Sequence, residues 1–211
     1  MKLYDADISS ASSRVRIALA YKGLQAERLP IGIVGPDADN RDAAYLDVNP
    51  QGLVPALLTD GGTLLTQSLA IIEYLDELQP QPPLLPAGLE QRAKVRALAL
   101  AVAAEMHPLL TPRIAARIKS QPGGGEVLLA DWRRHWMEQG MDALEGMLAR
   151  ERSGRFSVGD APTLADVLLY PQAINTERAG LDLARWPVLA SIVDQLRAIP
   201  AFADNAPARL R

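Results

Sequence analysis

The chain has 211 residues, 48% hydrophobic and 22% charged, with a formal net charge of −3; that suits one large globular domain or two modest ones. The slight acidic excess argues against a nucleic-acid platform, which needs a basic face. The complete lack of cysteine excludes disulfides, thiolate metal ligands and a cysteine nucleophile, so any thiol chemistry must borrow its thiol from outside. The start, Met1-Lys2-Leu3-Tyr4-Asp5, has no apolar signal core. Apolar runs such as 97–104 fall far short of the ~20 residues that span a bilayer. The expectation is a cytoplasmic protein with neither membrane nor nucleic acid as partner.

In chain order, Lys2 to Tyr4 is a strand candidate and Ser10 to Leu24 a helix that stops near Lys22-Gly23. Glu27 to Ile33 reads as a second strand. Asp37 to Asn49 reads as a loop with a short helix. Pro55 to Leu58 and Thr63 to Leu65 flank Asp60-Gly61-Gly62, a hairpin signature. Gln67 to Leu78 carries a helical face through Leu69, Ile72 and Leu75. The strand–helix–strand unit favours a parallel pair and the hairpin adds antiparallel strands, so a mixed sheet is expected. Four prolines between Gln79 and Gly88 read as a linker. Everything beyond is helical: 91–119, interrupted at Pro108 and Pro112; 126–150; 164–174; and 187–199, which closes the ordered part. The fold class is therefore α/β plus all-α, divided at residues 1–79, 80–88 and 89–211.

Several motifs carry both a structural and a functional reading. In Asn49-Pro50-Gln51-Gly52-Leu53-Val54-Pro55 a proline enters a strand, and the backbone just before it has free polar groups for an extended peptide; the plain alternative is an X-Pro loop. Ser68 suits a helix N-cap, and the same helix start attracts a carboxylate. Thr163-Leu164-Ala165-Asp166 fits a capping box, a structural device for starting a core helix. His107 and His135 are the only histidines and have no companion at metal-ligand spacing, so no metal site is expected. Arg14 and Arg16 form no basic cluster, and at least one reads as solvated.

Taken together these motifs resemble the cytosolic glutathione transferases over nearly the whole chain. "VPAL" at 54–57, "QSLAIIEYL" at 67–75 and "VGDAPTLADV" at 158–167 resemble that family's proline-led strand, γ-glutamyl-binding turn and second-domain capping box. Within the family, "SSASSRVRIAL" at 9–19, "HPLLTPRI" at 107–114 and "YPQAINTERAGLDLARWP" at 170–187 resemble the zeta class. The resemblance implies a thioredoxin-like first domain, a helical second domain, glutathione as co-substrate, and a homodimer. It implies Ser9, then Ser10, as the hydroxyl that holds the glutathione thiolate. Ser12, Asn40, Val54, Gln67, Ser68 and His107 would contact the tripeptide. Ile8, Arg113 and Arg178 would line the second-substrate pocket, with Pro55, Thr163 and Asp166 structural.

Two departures stand out. Ala11 replaces the zeta cysteine, and Ile8 replaces an arginine that the related maleylacetoacetate and maleylpyruvate isomerases use toward a substrate carboxylate. The expected activity is conjugation of glutathione to small electrophiles. Alternatives are glutathione-dependent cis–trans isomerisation and a non-catalytic binding protein on the same fold.

Overall fold

Strands β1 (Lys2–Asp5), β2 (Glu27–Pro30), β3 (Ala56–Leu58) and β4 (Leu64–Thr66) form one sheet in the order β2-β1-β3-β4 in this computed structural model, which describes residues 1–35 and 38–209. β1 runs parallel to β2 across helix α1 (Ser10–Tyr21) and antiparallel to β3, which pairs antiparallel with β4. This is the mixed, thioredoxin-like sheet expected. The register sets Leu3 opposite Leu57, both without exposed surface. Helix α3 (Ser68–Leu78) packs beside α1 and buries Ile71, Ile72 and Leu75.

Element ends follow local chemistry. α1 stops before Leu24 because Gly23 adopts φ 66°, a left-handed turn that favours glycine. β2 ends at Pro30 rather than Ile33 because β1 itself stops at Asp5, whose carbonyl takes a last bond from Ile31 N–H at 2.8 Å. Helix α2 (Ala43–Val48) follows a short 3-10 turn at Asp39–Arg41; Asp37, where the expected loop begins, lies outside the described residues.

The chain forms two compact units: Met1–Leu84 with Ile199–Arg211, and Leu85–Ala198. The first part of the proline segment is fastened to the first unit. Lys22 Nζ donates to the Asp76 carboxylate, to the Gln79 carbonyl at 2.9 Å and to the Pro82 carbonyl at 2.5 Å, and Leu84 is buried. The tail differs from the expectation of a helical domain running to 211 with order ending at Ile199. Helix α9 (Pro200–Ala203) follows, and Phe202 is fully buried, edge-on to Tyr21. Burying such a side chain is worth about 1.5–3 kcal/mol, reason enough for the tail to stay with the first unit. Beyond it the Asn205 carbonyl accepts from Ser13 Oγ at 2.5 Å, and Ala208 N–H donates to the Asp7 carbonyl at 2.8 Å.

The second unit contains α4 (Leu89–Leu100), a π-helical segment at Ala101–Met106, a 3-10 turn at His107–Leu110, α5 (Pro112–Lys119), α6 (Glu126–Glu151), α7 (Leu164–Arg178) and α8 (Pro187–Arg197). Pro108 and Pro112 sit in first turns, where a missing N–H costs nothing. A Cβ on Gly140 would lie 2.6 Å from Met106 Cε, so α6 passes the π segment closer than a side chain allows. The start of α7 is built around Asp166. One of its oxygens accepts from Thr163 N–H at 2.7 Å and the Thr163 hydroxyl at 2.8 Å; the other accepts from Ser157 N–H at 2.9 Å and the Ser157 hydroxyl at 2.7 Å. Among the described residues no helix is long and apolar enough to cross a membrane.

Candidate functional site

The loop between β1 and α1 is held from below. Asp5 is fully buried between Arg16 Nη1, at 2.6 Å, and Arg28 Nε, at 2.5 Å. Arg16 also donates to the carbonyls of Ala6, Asp7 and Asn205 at 3.3–3.4 Å. Arg28 bonds the Asp7 carboxylate, and this bond holds the Asp7 pKa below its ordinary value. Ser9 follows as the N-cap of α1: its Oγ accepts from Ser12 N–H at 3.1 Å. A hydroxyl that accepts one bond still has a proton to give, so the cap does not prevent Ser9 from donating to an anion at the helix's positive end. Ser10 is buried in the first turn, and Ile8 is half-buried just ahead of Ser9. Ser12 departs from the expected ligand contact. It has no exposed surface, and its hydroxyl accepts from Ala6 N–H at 3.4 Å, supporting the loop from inside.

A second segment presents backbone. Asn40 Nδ2 donates to the Gly52 carbonyl at 2.6 Å. Gly52 has φ 61°, and a Cβ there would lie 2.9 Å from the Asn40 carbonyl oxygen, so only glycine fits. The Leu53 carbonyl accepts from the Tyr45 hydroxyl and Asn49 Nδ2, each at 2.7 Å. Burial pushes the Tyr45 pKa up to about 12, so it remains a donor throughout the neutral range. Val54 follows, joined to Pro55 by a cis peptide bond. Among the described residues neither the N–H nor the carbonyl of Val54 has a hydrogen-bond partner. Asn40 therefore acts by positioning this segment, and its Oδ1 is buried without a partner.

The third segment is the start of α3. Gln67 takes φ 69°, the only positive φ outside glycine among the described residues, and its side chain donates to Gln51 Oε1 at 2.7 Å. Ser68 is the first helical residue, not the cap anticipated, because the strained Gln67 occupies the cap position. The first N–H groups of α3 have no acceptor within the helix. Behind them lies Arg14, one turn into α1. Its Nη1 donates to Ser68 Oγ at 3.4 Å, while Nε and Nη2 are buried and unpartnered. Burial lowers the Arg14 pKa to about 9, which leaves it charged at neutral pH. Both Arg14 and Arg16 are buried, against the expectation that at least one faces solvent; the bonds to Ser68 and to Asp5 explain their direction. Arg14 and Gln51 are the residues that sequence reasoning missed.

The remaining candidates lie in the second unit. His107 is half-buried at the first position of the 3-10 turn. Arg113 is exposed in the first turn of α5, and Arg178 is exposed at the last residue of α7. The first unit alone thus brings together Ser9, Ser10, Val54, Gln67 and Ser68 on three adjoining segments, with Arg14 linking α1 to α3. Among the described residues no group of three His, Cys, Asp or Glu side chains forms a possible metal site.

The chain is similar to known proteins over nearly its whole length. Residues 3–83 match the family model of the glutathione S-transferase N-terminal domain. A maleylacetoacetate isomerase of Pseudomonas aeruginosa is 43% identical over 208 residues, covering 99% of this chain and 96% of that protein. A holo structure of a maleylpyruvate isomerase, described as a bacterial zeta-class glutathione S-transferase, superposes with a TM-score of 0.92 at 40% identity over 99% of this chain and 97% of the other. A maleylacetoacetate isomerase from Methylobacterium extorquens AM1, with malonate and glutathione bound, gives 0.94 at 36% identity over 100% and 98%.

Proposed function

From the premise that this chain belongs to the glutathione S-transferase family of enzymes, we propose that it binds glutathione on its first unit and uses the thiolate to isomerise a small cis-unsaturated dicarboxylic acid such as maleylacetoacetate or maleylpyruvate. The single observation that carries the glutathione half is the open backbone of Val54 beside the free amides of α3. An extended peptide pairs with such a backbone, and its carboxylate suits a helix start.

Bound glutathione supplies a thiol whose ordinary pKa near 8.5 leaves it mostly protonated at neutral pH. The Ser9 hydroxyl proton, at the positive end of α1, favours the thiolate; Ser10 is the second choice for this role. Gln67 and Ser68 hold the γ-glutamyl carboxylate, and Asn40 keeps the Val54 segment in place. The resemblance assigns His107 to glutathione, and Arg113 and Arg178 to substrate carboxylates as cations. Names of near full-length relatives, and the presence of both malonate, a dicarboxylate, and glutathione in the structure of one of them, support the isomerase reading. A second reading is conjugation to neutral electrophiles. It is favoured by the half-buried Ile8, which offers no charge where the resembled isomerases have an arginine.

We further place the enzyme in the cytoplasm as a homodimer, a reading supported by the exposed apolar Leu89 and Val127 on the helical unit. The deciding assay follows maleylacetoacetate and maleylpyruvate spectrophotometrically with and without glutathione, beside a neutral aryl halide. Isomerisation with kcat/KM above about 10⁴ M⁻¹s⁻¹ supports the proposal. Glutathione-dependent conjugation without isomerisation replaces it with the second reading. Absence of both, with glutathione still bound, overturns both.

A further inference from the structure

We propose that Arg14 is a positioning residue of the carboxylate subsite at the start of α3: it holds the Ser68 hydroxyl as an outward-facing donor and places a positive charge behind it. This deepens the reading of Ser68 as the γ-glutamyl contact and rests on it.

Arg14 and Arg16 are two residues apart on one helix, yet they are satisfied differently. Arg16 meets the Asp5 carboxylate and three carbonyls. Arg14 is 1% exposed and meets one hydroxyl, at 3.4 Å, with Nε and Nη2 left over. Among the described residues no carboxylate pairs with it, and burial alone accounts for its lowered pKa. A dry charge without a counter-ion is costly, and an apolar side chain of similar volume would pack there without that cost. The charge therefore needs an anion that the chain itself does not provide.

The geometry indicates where that anion sits. Arginine has donors and no acceptor, so Ser68 Oγ must accept from it. The hydroxyl proton is then unable to point back at Arg14 and is left for a ligand. Beside it stand the unsatisfied first N–H groups of α3, and all three features attract the same group. A carboxylate bound there receives the Ser68 proton and the helix amides, and its charge compensates Arg14 across the hydroxyl. Such a relay adds affinity only for ligands that carry the carboxylate.

The test is calorimetric binding of two probes: glutathione, and the analogue in which hydrogen replaces the α-carboxylate of the γ-glutamyl residue. The unaltered protein is expected to bind glutathione the more tightly. Arg14→Met, which keeps volume and removes charge, is expected to weaken glutathione by about tenfold, or 1.4 kcal/mol, and the analogue by less than about twofold. Should Arg14→Met fail to fold, Arg14→Lys serves, since its shorter cation cannot reach Ser68. Adding Ser68→Ala to it should cost less than Ser68→Ala costs the unaltered protein. Equal weakening of both probes, or of neither, makes Arg14 merely structural and overturns the proposal. If the unaltered protein binds both probes alike, the reading of Ser68 fails first and the proposal falls with it.

Discussion

Asp166→Ala should be among the most damaging single changes in the helical unit, and its cost can be worked from the hydrogen bonds. The carboxylate is fully buried and accepts four of them, two from backbone N–H groups and two from hydroxyls. The Thr163 and Ser157 hydroxyls can rotate to other acceptors; the two amides cannot turn. Each buried amide left unpaired costs about 1–3 kcal/mol, so the truncation costs roughly 2–6 kcal/mol. Part of this returns, because burial outweighs the donors and raises the pKa of Asp166, a sign that holding the charge dry is itself unfavourable. A net loss of about 2–4 kcal/mol remains, from a total that rarely exceeds about 5–15. At about 2–4 °C per kcal/mol for a chain of this size, the melting temperature should fall by about 4–16 °C. Asp166→Asn keeps one acceptor oxygen and should lose about half as much. Thermal unfolding followed by circular dichroism measures both. A melting temperature for Asp166→Ala within about 2 °C of the unaltered protein would show that the amides find other partners, and the reasoning would fail.

Ser9→Ala removes the cap on Ser12 N–H, worth about 1 kcal/mol, and should also raise the apparent pKa of bound glutathione, read from its ultraviolet thiolate band; an unchanged band assigns the thiolate to Ser10 or to the helix alone. Asp7→Asn tests the loop's ion pair by pH. The Asp7 pKa is lowered in the folded state, so its contribution is present above the unfolded value near 3.8 and lost as pH falls through the folded one. With Asp7 largely exposed, the difference in urea midpoint should reflect less than about 1 kcal/mol at neutral pH and vanish in acid; a difference that persists in acid contradicts the pairing. Light scattering should give twice the chain mass, independent of concentration over a wide range, and a constant monomer mass would remove the dimer from the proposed function.

Local chemistry was readable wherever the signal is local. Asp60-Gly61-Gly62 marked the hairpin because Gly62 needs φ 81°, and the prolines of 80–86 admit neither helix nor central strand. Thr163 and Asp166 stand at the one spacing that lets a carboxylate reach back over a first turn. What escaped depends on partners distant in sequence. Nothing beside Arg14 says that a serine far downstream will accept from it, and Arg16 looks solvated until Asp5 and the returning tail cover it. Ser68 looked like a cap because serine favours that position; the positive φ of Gln67, invisible in residue type, moved the cap back by one. The apolar run alone ends α7 at Ile174; the structure carries the helix on through the polar turn Asn175 to Arg178, which adds no apolar residue to extend the pattern.

The return of residues 199–209 to the first unit sets an order on assembly. Phe202, Asn205 and Ala208 reach Tyr21, Ser13 and Asp7 only by closing a loop that contains the whole helical unit. Such closure is entropically unfavourable and is repaid only once the long-range contact forms. During synthesis the helix capped by Ser9 therefore waits, with one flank open, until residues 199–209 have left the ribosome. The helical unit needs no such return. It can complete its own core while the sheet and its first helix still lack their final cover, so Ser9 and Ser10 belong to the later-maturing of the two units.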